Sequence, residues 1–306
     1  MAIDVATPTP ADAEEIAELC NALAREHYGE PVVDAVEVRR WFGLPNIHLW
    51  VARAPDGRLA AYADLEEEDT RRYWLDLREH PRLSGRGGAR ALLEATEAWA
   101  RARAAAGALF RGSVASPDEN ARRLYEKAGY RFIRHMLEMR IELDAEPSEP
   151  DWPDGIRART FVPGADERAV YEADMEAFED HWEPRRQPYD EWRAWTLEDP
   201  RFDPSLWFLA EADESLAGLC LCGLHPSGDP TFGYVFILGV RRPWRRRGLG
   251  LAMLRHAFRE FRRRGMTRAG LDVDAQNLTG AVRLYERAGM HVAKRRDIYE
   301  TPLRPD

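Results

Sequence analysis

The segment RRLYEKAGY at 122–130 returns as VRLYERAGM at 282–290. Self-similarity at so long a period means a duplicated folding unit, because each copy must repeat the same local structure. Both copies read as a helix stopped by Ala-Gly, the glycine supplying the left-handed residue that ends it, and then a strand of alternating character. Further upstream, LWVARAPDGRLAAYADL at 49–65 parallels LWFLAEADESLAGLCLC at 206–222. Each is a strand, a turn (Asp56-Gly57 or Asp213-Glu214) and a second strand. The repeat therefore spans most of both halves.

A chain of 306 residues has room for two cores of about 150 residues each. Residues 143–155, LDAEPSEPDWPDG, are acidic and proline-rich with no hydrophobic period, which is the composition of an exposed connection. The expected division is 1–145, a linker at 146–154, and 155–306. With 44% hydrophobic residues, both halves can fill a core.

In the second half the pattern predicts a strand at 156–160, helices within 165–178 and 188–197, a hairpin at 206–224 and a strand at 233–240. A helix at 249–264, a strand at 269–274, a helix at 278–288 and a final strand pair complete it. The first half repeats the order. The fold class is α/β, an α+β mixed sheet in each of two tandem domains, with flanking helices.

No apolar run approaches the ~20 residues of a membrane span, and the start MAIDVATPTPADAEE lacks a secretory pattern, so a cytoplasmic protein with no membrane partner is expected. The net charge of −9 argues against nucleic acid as the main partner. Lys127 and Lys294 are the only lysines among 44 basic residues, a bias that GC-rich bacterial coding explains. Cys220 and Cys222 share one face of an apolar strand and read as reduced structural residues. No metal site is expected.

The segment with most chemistry is Val240-Arg241-Arg242-Pro243-Trp244-Arg245-Arg246-Arg247-Gly248-Leu249-Gly250, between an apolar strand and a helix. Gly248 and Gly250 let the backbone turn and approach a ligand, and the amides at a helix start attract anions. Arg245, Arg246 and Arg247 add forked cationic donors. A diphosphate suits such a loop; a solvated basic loop is the plainer reading of the arginines alone.

Downstream lies Asn277-Leu278-Thr279-Gly280-Ala281-Val282-Arg283-Leu284-Tyr285-Glu286-Arg287-Ala288-Gly289. Together, R-x-x-G-x-G at 245–250 and N-x-x-G-A-x-x-L-Y-x-x-x-G at 277–289 resemble the acetyl-CoA signature of the GNAT acetyltransferases. The tandem arrangement resembles the two-domain mycothiol synthase architecture, in which the C-terminal copy acts.

This resemblance implies acetyl-CoA as co-substrate. Its diphosphate would lie on Arg245, Arg246, Arg247, Gly248, Leu249 and Gly250. Its pantetheine would pair with Leu238, Gly239 and Val240, on a strand splayed from its neighbour, and Asn277 would bond to the cofactor arm or act as a helix cap. Tyr285 would face the thioester sulfur as general acid, since a phenol of pKa ~10 can protonate a leaving thiolate.

Many relatives place a glutamate base on the strand before the phosphate loop, where this chain has Tyr234-Val235-Phe236-Ile237-Leu238-Gly239-Val240. His181, within Phe178-Glu179-Asp180-His181-Trp182-Glu183, titrates near neutrality and is the candidate base; a solvated helix end is the equal alternative. Asp174, Glu176, Glu179, Asp180 and Glu183, with Trp182, Trp192 and Trp195, could attract a cationic amine or form a wet face.

The first copy is less complete. Ser84 stands in place of the motif arginine in His80-Pro81-Arg82-Leu83-Ser84-Gly85-Arg86-Gly87-Gly88-Ala89, and Pro117 stands opposite Asn277, while Tyr125 matches Tyr285. The expected function is acetyl transfer to an amine of a small molecule by a monomer or homodimer. Protein or peptide N-acetylation and a non-catalytic acyl-CoA sensor are the alternatives.

Overall fold

The computed structural model describes residues 3–182, 187–213, 215–277 and 280–303. The first repeat runs β1 (Asp4–Ala6), α1 (Ala13–Tyr28), α2 (Ala35–Trp41), β2 (Ile47–Arg53), β3 (Leu59–Asp69), β4 (Arg72–Glu79), α3 (Gly88–Arg101), β5 (Ala108–Ala115), α4 (Glu119–Lys127) and β6 (Arg131–Glu142). The second runs β7 (Ile156–Thr160), α5 (Glu167–Ala177), α6 (Tyr189–Thr196), β8 (Trp207–Ala212), β9 (Ser215–Leu224), β10 (Phe232–Val240), α7 (Leu249–Arg263), β11 (Arg268–Asp274), α8 (Ala281–Arg287) and β12 (His291–Leu303).

The chain forms two compact units that are not continuous in sequence. The first comprises Met1–Met136, Pro226–Gly228 and Arg295–Asp306; the second comprises Leu137–His225 and Asp229–Lys294. A linear cut at 146–154 thus does not follow the units. The predicted final strand pair is one strand, β12, because HVAKRRDIYETPL alternates without a turn signal before Pro302.

In the first unit the sheet order is β1-β2-β3-β4-β5, and the end of β12 forms its sixth strand. Every pair is antiparallel except β4 with β5, which are joined through α3. The β12 end is well anchored on β5: Leu303 and Tyr299 are buried, and Glu300 Oε2 accepts from the buried Arg111 Nε at 2.7 Å. Its core includes Leu65, Tyr73, Leu75, Leu92, Phe110 and Tyr125.

In the second unit the order is β11-β10-β9-β8-β7, with the Leu137–Glu142 end of β6 beside β11. Only β10 with β11 is parallel among the pairs described. The apolar stripe of α7, Leu249, Ala252, Met253, Leu254, Ala257, Phe258 and Phe261, recurs at three- and four-residue steps and is buried. Gly233 lets this helix lie on β10, since a Cβ there would come within 2.7 Å of the Phe261 ring. No described helix is long and apolar enough to cross a membrane.

Candidate active site

The second unit's site begins where its two parallel strands part. β10 pairs with β9 as far as Val240 but with β11 only over Phe232–Tyr234 against Arg268–Gly270. Leu238, Gly239 and Val240 therefore have one backbone edge outside the ladder. The strand has a bulge at Phe236, between Val235 and Ile237, and that ring is 51% exposed. Gly239 has a packing reason: a Cβ there would lie 2.8 Å from that of Ala177 on α5.

After β10 the chain turns through Arg242–Trp244 into the glycine loop. Two residues take left-handed backbone, Arg246 at φ 62° and Gly248 at φ 88°. Gly248 is the N-cap of α7 and offers no side chain, so no side-chain group caps the first amides of that helix. Nothing lies within 4 Å of the point a Gly248 Cβ would occupy. Gly250 is buried, and a Cβ there would meet Leu284 of α8 at 3.3 Å, which ties this loop to the helix that carries Tyr285.

The arginines divide. Arg245 is turned inward: its Nε donates to the Val240 carbonyl at 2.9 Å, Nη1 to Asp180 at 2.6 Å and Nη2 to the Ala177 carbonyl at 3.2 Å. Arg242 reaches Asp180 and Glu179, and Arg241 reaches Glu176 at 2.6 Å. Arg242 first, and then Arg245, hold the Asp180 carboxyl well below the usual carboxylate range. Arg246 and Arg247 are exposed and make no ion pair among the described residues.

The expected acidic face is thereby corrected in part. Glu176, Glu179 and Asp180 brace the loop arginines, and Asp174 is fully buried, accepting from Trp192 Nε1 at 2.9 Å inside the core. Trp195 is half-buried, Trp182 is 38% exposed, and Glu183 lies outside the described residues. His181 follows Asp180, which pairs with Arg245, and its ring leans on Phe178 with the centroids 4.4 Å apart.

Tyr285 is buried in the core of the second unit, with no hydrogen bond to its hydroxyl among the described residues. Burial, and to a lesser degree Cys220, pushes its phenol well above the ordinary value. Cys220 pairs across the sheet with Leu238, so the same neighbourhood holds the tyrosine and the open strand edge. Asn277 precedes α8, but the N-cap is Gly280 at φ 75°, not Asn277; Leu278 and Thr279 lie outside the described residues. Cys220 and Cys222 are free and buried.

The first unit repeats the loop with other contents. Gly85 and Gly87 take φ 76° and 97°, matching Arg246 and Gly248. Tyr125 lies against Gly112, where an added Cβ would fall 2.2 Å from its ring, and stacks on Tyr299 at 6.0 Å; its hydroxyl is enclosed without a hydrogen bond among the described residues. A carboxylate pair that the sequence reading did not single out, Asp64 on β3 facing Asp76 on β4, lies in this unit. Burial, then the Asp76 charge, raises the Asp64 carboxyl to about 7, and Arg78 pairs with Asp76. Register counted from the turn at 70–71 would set Asp64 opposite Leu77; a bulge between Glu67 and Asp69 shifts it by one residue, so the sequence carried no signal for the pair.

The acetyltransferase (GNAT) family model matches residues 13–130 and again 168–290. The chain belongs to the GNAT acetyltransferase family. The GNAT match recurs once in each half, as the repeat requires. A mycothiol acetyltransferase of Thermobispora bispora is 31% identical over 92% of this chain and 93% of its own length. One from Streptomyces avermitilis is 32% identical over 97% and 94%. A GCN5-related N-acetyltransferase from Sphaerobacter thermophilus is 39% identical, with TM-score 0.82 over 99% of this chain and 96% of that one. A tandem GNAT protein from the clavulanic acid biosynthesis pathway shares the fold at 17% identity, TM-score 0.77, each chain covered in full. This protein is thus a tandem GNAT acetyltransferase.

Proposed function

We propose that the second unit moves an acetyl group from acetyl-CoA to an amine of a small molecule. The observation that carries this reading is the parting of β10 from β11 beyond Tyr234, beside a helix opened by Gly248. The residues fit the co-substrate. Gly248 faces open space and gives the start of α7 no side-chain cap, Arg246 and Arg247 supply cations for the phosphates, and the edge of Leu238–Val240 can pair with the pantetheine amides.

Chemically, the amine nitrogen attacks the thioester carbonyl, the C–N bond forms, the C–S bond breaks, and the Tyr285 phenol gives its proton to the leaving sulfur. A phenol whose pKa is raised by burial stays protonated at every working pH. His181 or water takes the proton from the ammonium; β10 offers no carboxylate for this. Asn277 would hold the cofactor arm.

Amino-sugar and thiol-cofactor precursor amines lead the acceptor panel, because curated relatives carry the name mycothiol acetyltransferase. The test is thiol release from acetyl-CoA across that panel, with peptides included. Turnover on a small amine supports the proposal, preference for peptides replaces the acceptor class, and tight CoA binding with no turnover on any amine indicates a sensor.

A further inference from the structure

The two glycine loops share a backbone but not an occupant. Counting back from the matched positive-φ pair, Glu79 at the end of β4 stands where the second unit has Val240 at the end of β10. Glu79 Oε2 accepts from the Gly85 amide at 3.0 Å, and Oε1 from the Ala89 amide at 3.2 Å. Gly85 corresponds to Arg246 and Ala89 to Gly250. One carboxylate thus bridges the loop and the first turn of α3, taking the amides that would face an anion in the second unit.

We infer that Glu79 is an internal anion filling the diphosphate seat of the first unit, so that the chain takes up CoA at one loop and not two. The seat suits a negative charge, since the N-cap of this 14-residue helix is Gly87, which supplies no side-chain cap, and the helix start carries the positive end of its dipole. A diphosphate arriving there would have to displace two charge-assisted hydrogen bonds and then share the loop with the freed carboxylate. The loop also lacks the cation and the brace of its counterpart: Gly85 stands where the second unit has Arg246, and Ser84, in place of Arg245, accepts from Asn120 Nδ2 at 3.2 Å. In the second unit Val240 has no charge to offer, and its carbonyl is engaged by Arg245.

The comparison with the second loop rests on the function proposed above, but the occupancy of the first does not, and the experiment separates the two. CoA binding to the full chain is measured by equilibrium dialysis for the wild type and for Glu79→Val, which installs the second unit's residue. The expected stoichiometry is one CoA for the wild type and two for the variant. No binding by the wild type with one CoA on Glu79→Val would leave this inference standing and sink the reading of the second unit. Two CoA on the wild type, or an unchanged number on a folded Glu79→Val, overturns it. Amide NMR of the wild type needs no variant: on titration with CoA the Gly85 and Ala89 signals should stay fixed, and saturable movement of both overturns the inference.

Discussion

Arg245 donates to Asp180 at 2.6 Å while its Nε holds the Val240 carbonyl. The arginine that opens the glycine motif is therefore a brace between the end of β10 and the turn after α5. The exposed charge of the loop is carried by Arg246 and Arg247.

Asp180→Asn should loosen that brace without unfolding the unit, since solvent-exposed ion pairs contribute little to stability. KM for acetyl-CoA is expected to rise roughly fivefold with kcat nearly unchanged, as for lost ground-state binding. Steady-state kinetics at fixed saturating amine reads the split, and a fall in kcat alone would disagree.

Arg246 holds φ 62°, a conformation that costs a non-glycine residue about 1 kcal/mol and that the first unit assigns to Gly85. Arg246→Gly should melt no lower than the wild type while binding CoA about tenfold more weakly. Calorimetry of both proteins checks this; equal affinity would remove Arg246 from the phosphate seat.

The Asp64 carboxyl in the first unit has its pKa raised to about 7, by burial first and the facing Asp76 second. The folded state therefore holds this proton more tightly than the unfolded chain. Its contribution to stability is present at pH 4 and is lost as pH rises through 7. Asp64→Asn should flatten that loss and be more stable than the wild type at pH 8, by on the order of 2 kcal/mol. Denaturant melts at pH 5 and pH 8 measure the difference.

Residues 1–145 alone lack the β12 end that pairs with β5 from Ala108 to Ala115. That piece is expected to be poorly folded by circular dichroism and to gain structure when a peptide of residues 291–303 is added. A cooperative melt without the peptide would show that the strand is dispensable.

Local structure was legible because it is written at short range. The stripe on α7, the glycines before it and the turn at Gly57 fall where period and turn chemistry put them. The destination of β12 was not, since alternation marks a strand and says nothing of which sheet it joins. Likewise, Glu176, Glu179 and Asp180 read as a wet acidic face until the fold set arginines from a loop some sixty residues away against them. Long, flexible side chains carry no sign in the sequence of where they end. The loop and Tyr285 stand out in the sequence through a pattern of spacings, whereas the Glu79 contacts arise only in the fold, a glutamate at a strand end being otherwise unremarked.

The most direct test of the account compares Tyr285→Phe with the wild type in thiol release from acetyl-CoA, with CoA affinity measured on the same samples. Loss of the phenol proton should lower kcat about 100-fold with CoA affinity within twofold, the usual worth of a positioned general acid. A Tyr285→Phe protein that binds CoA and turns over at the wild-type rate would contradict it.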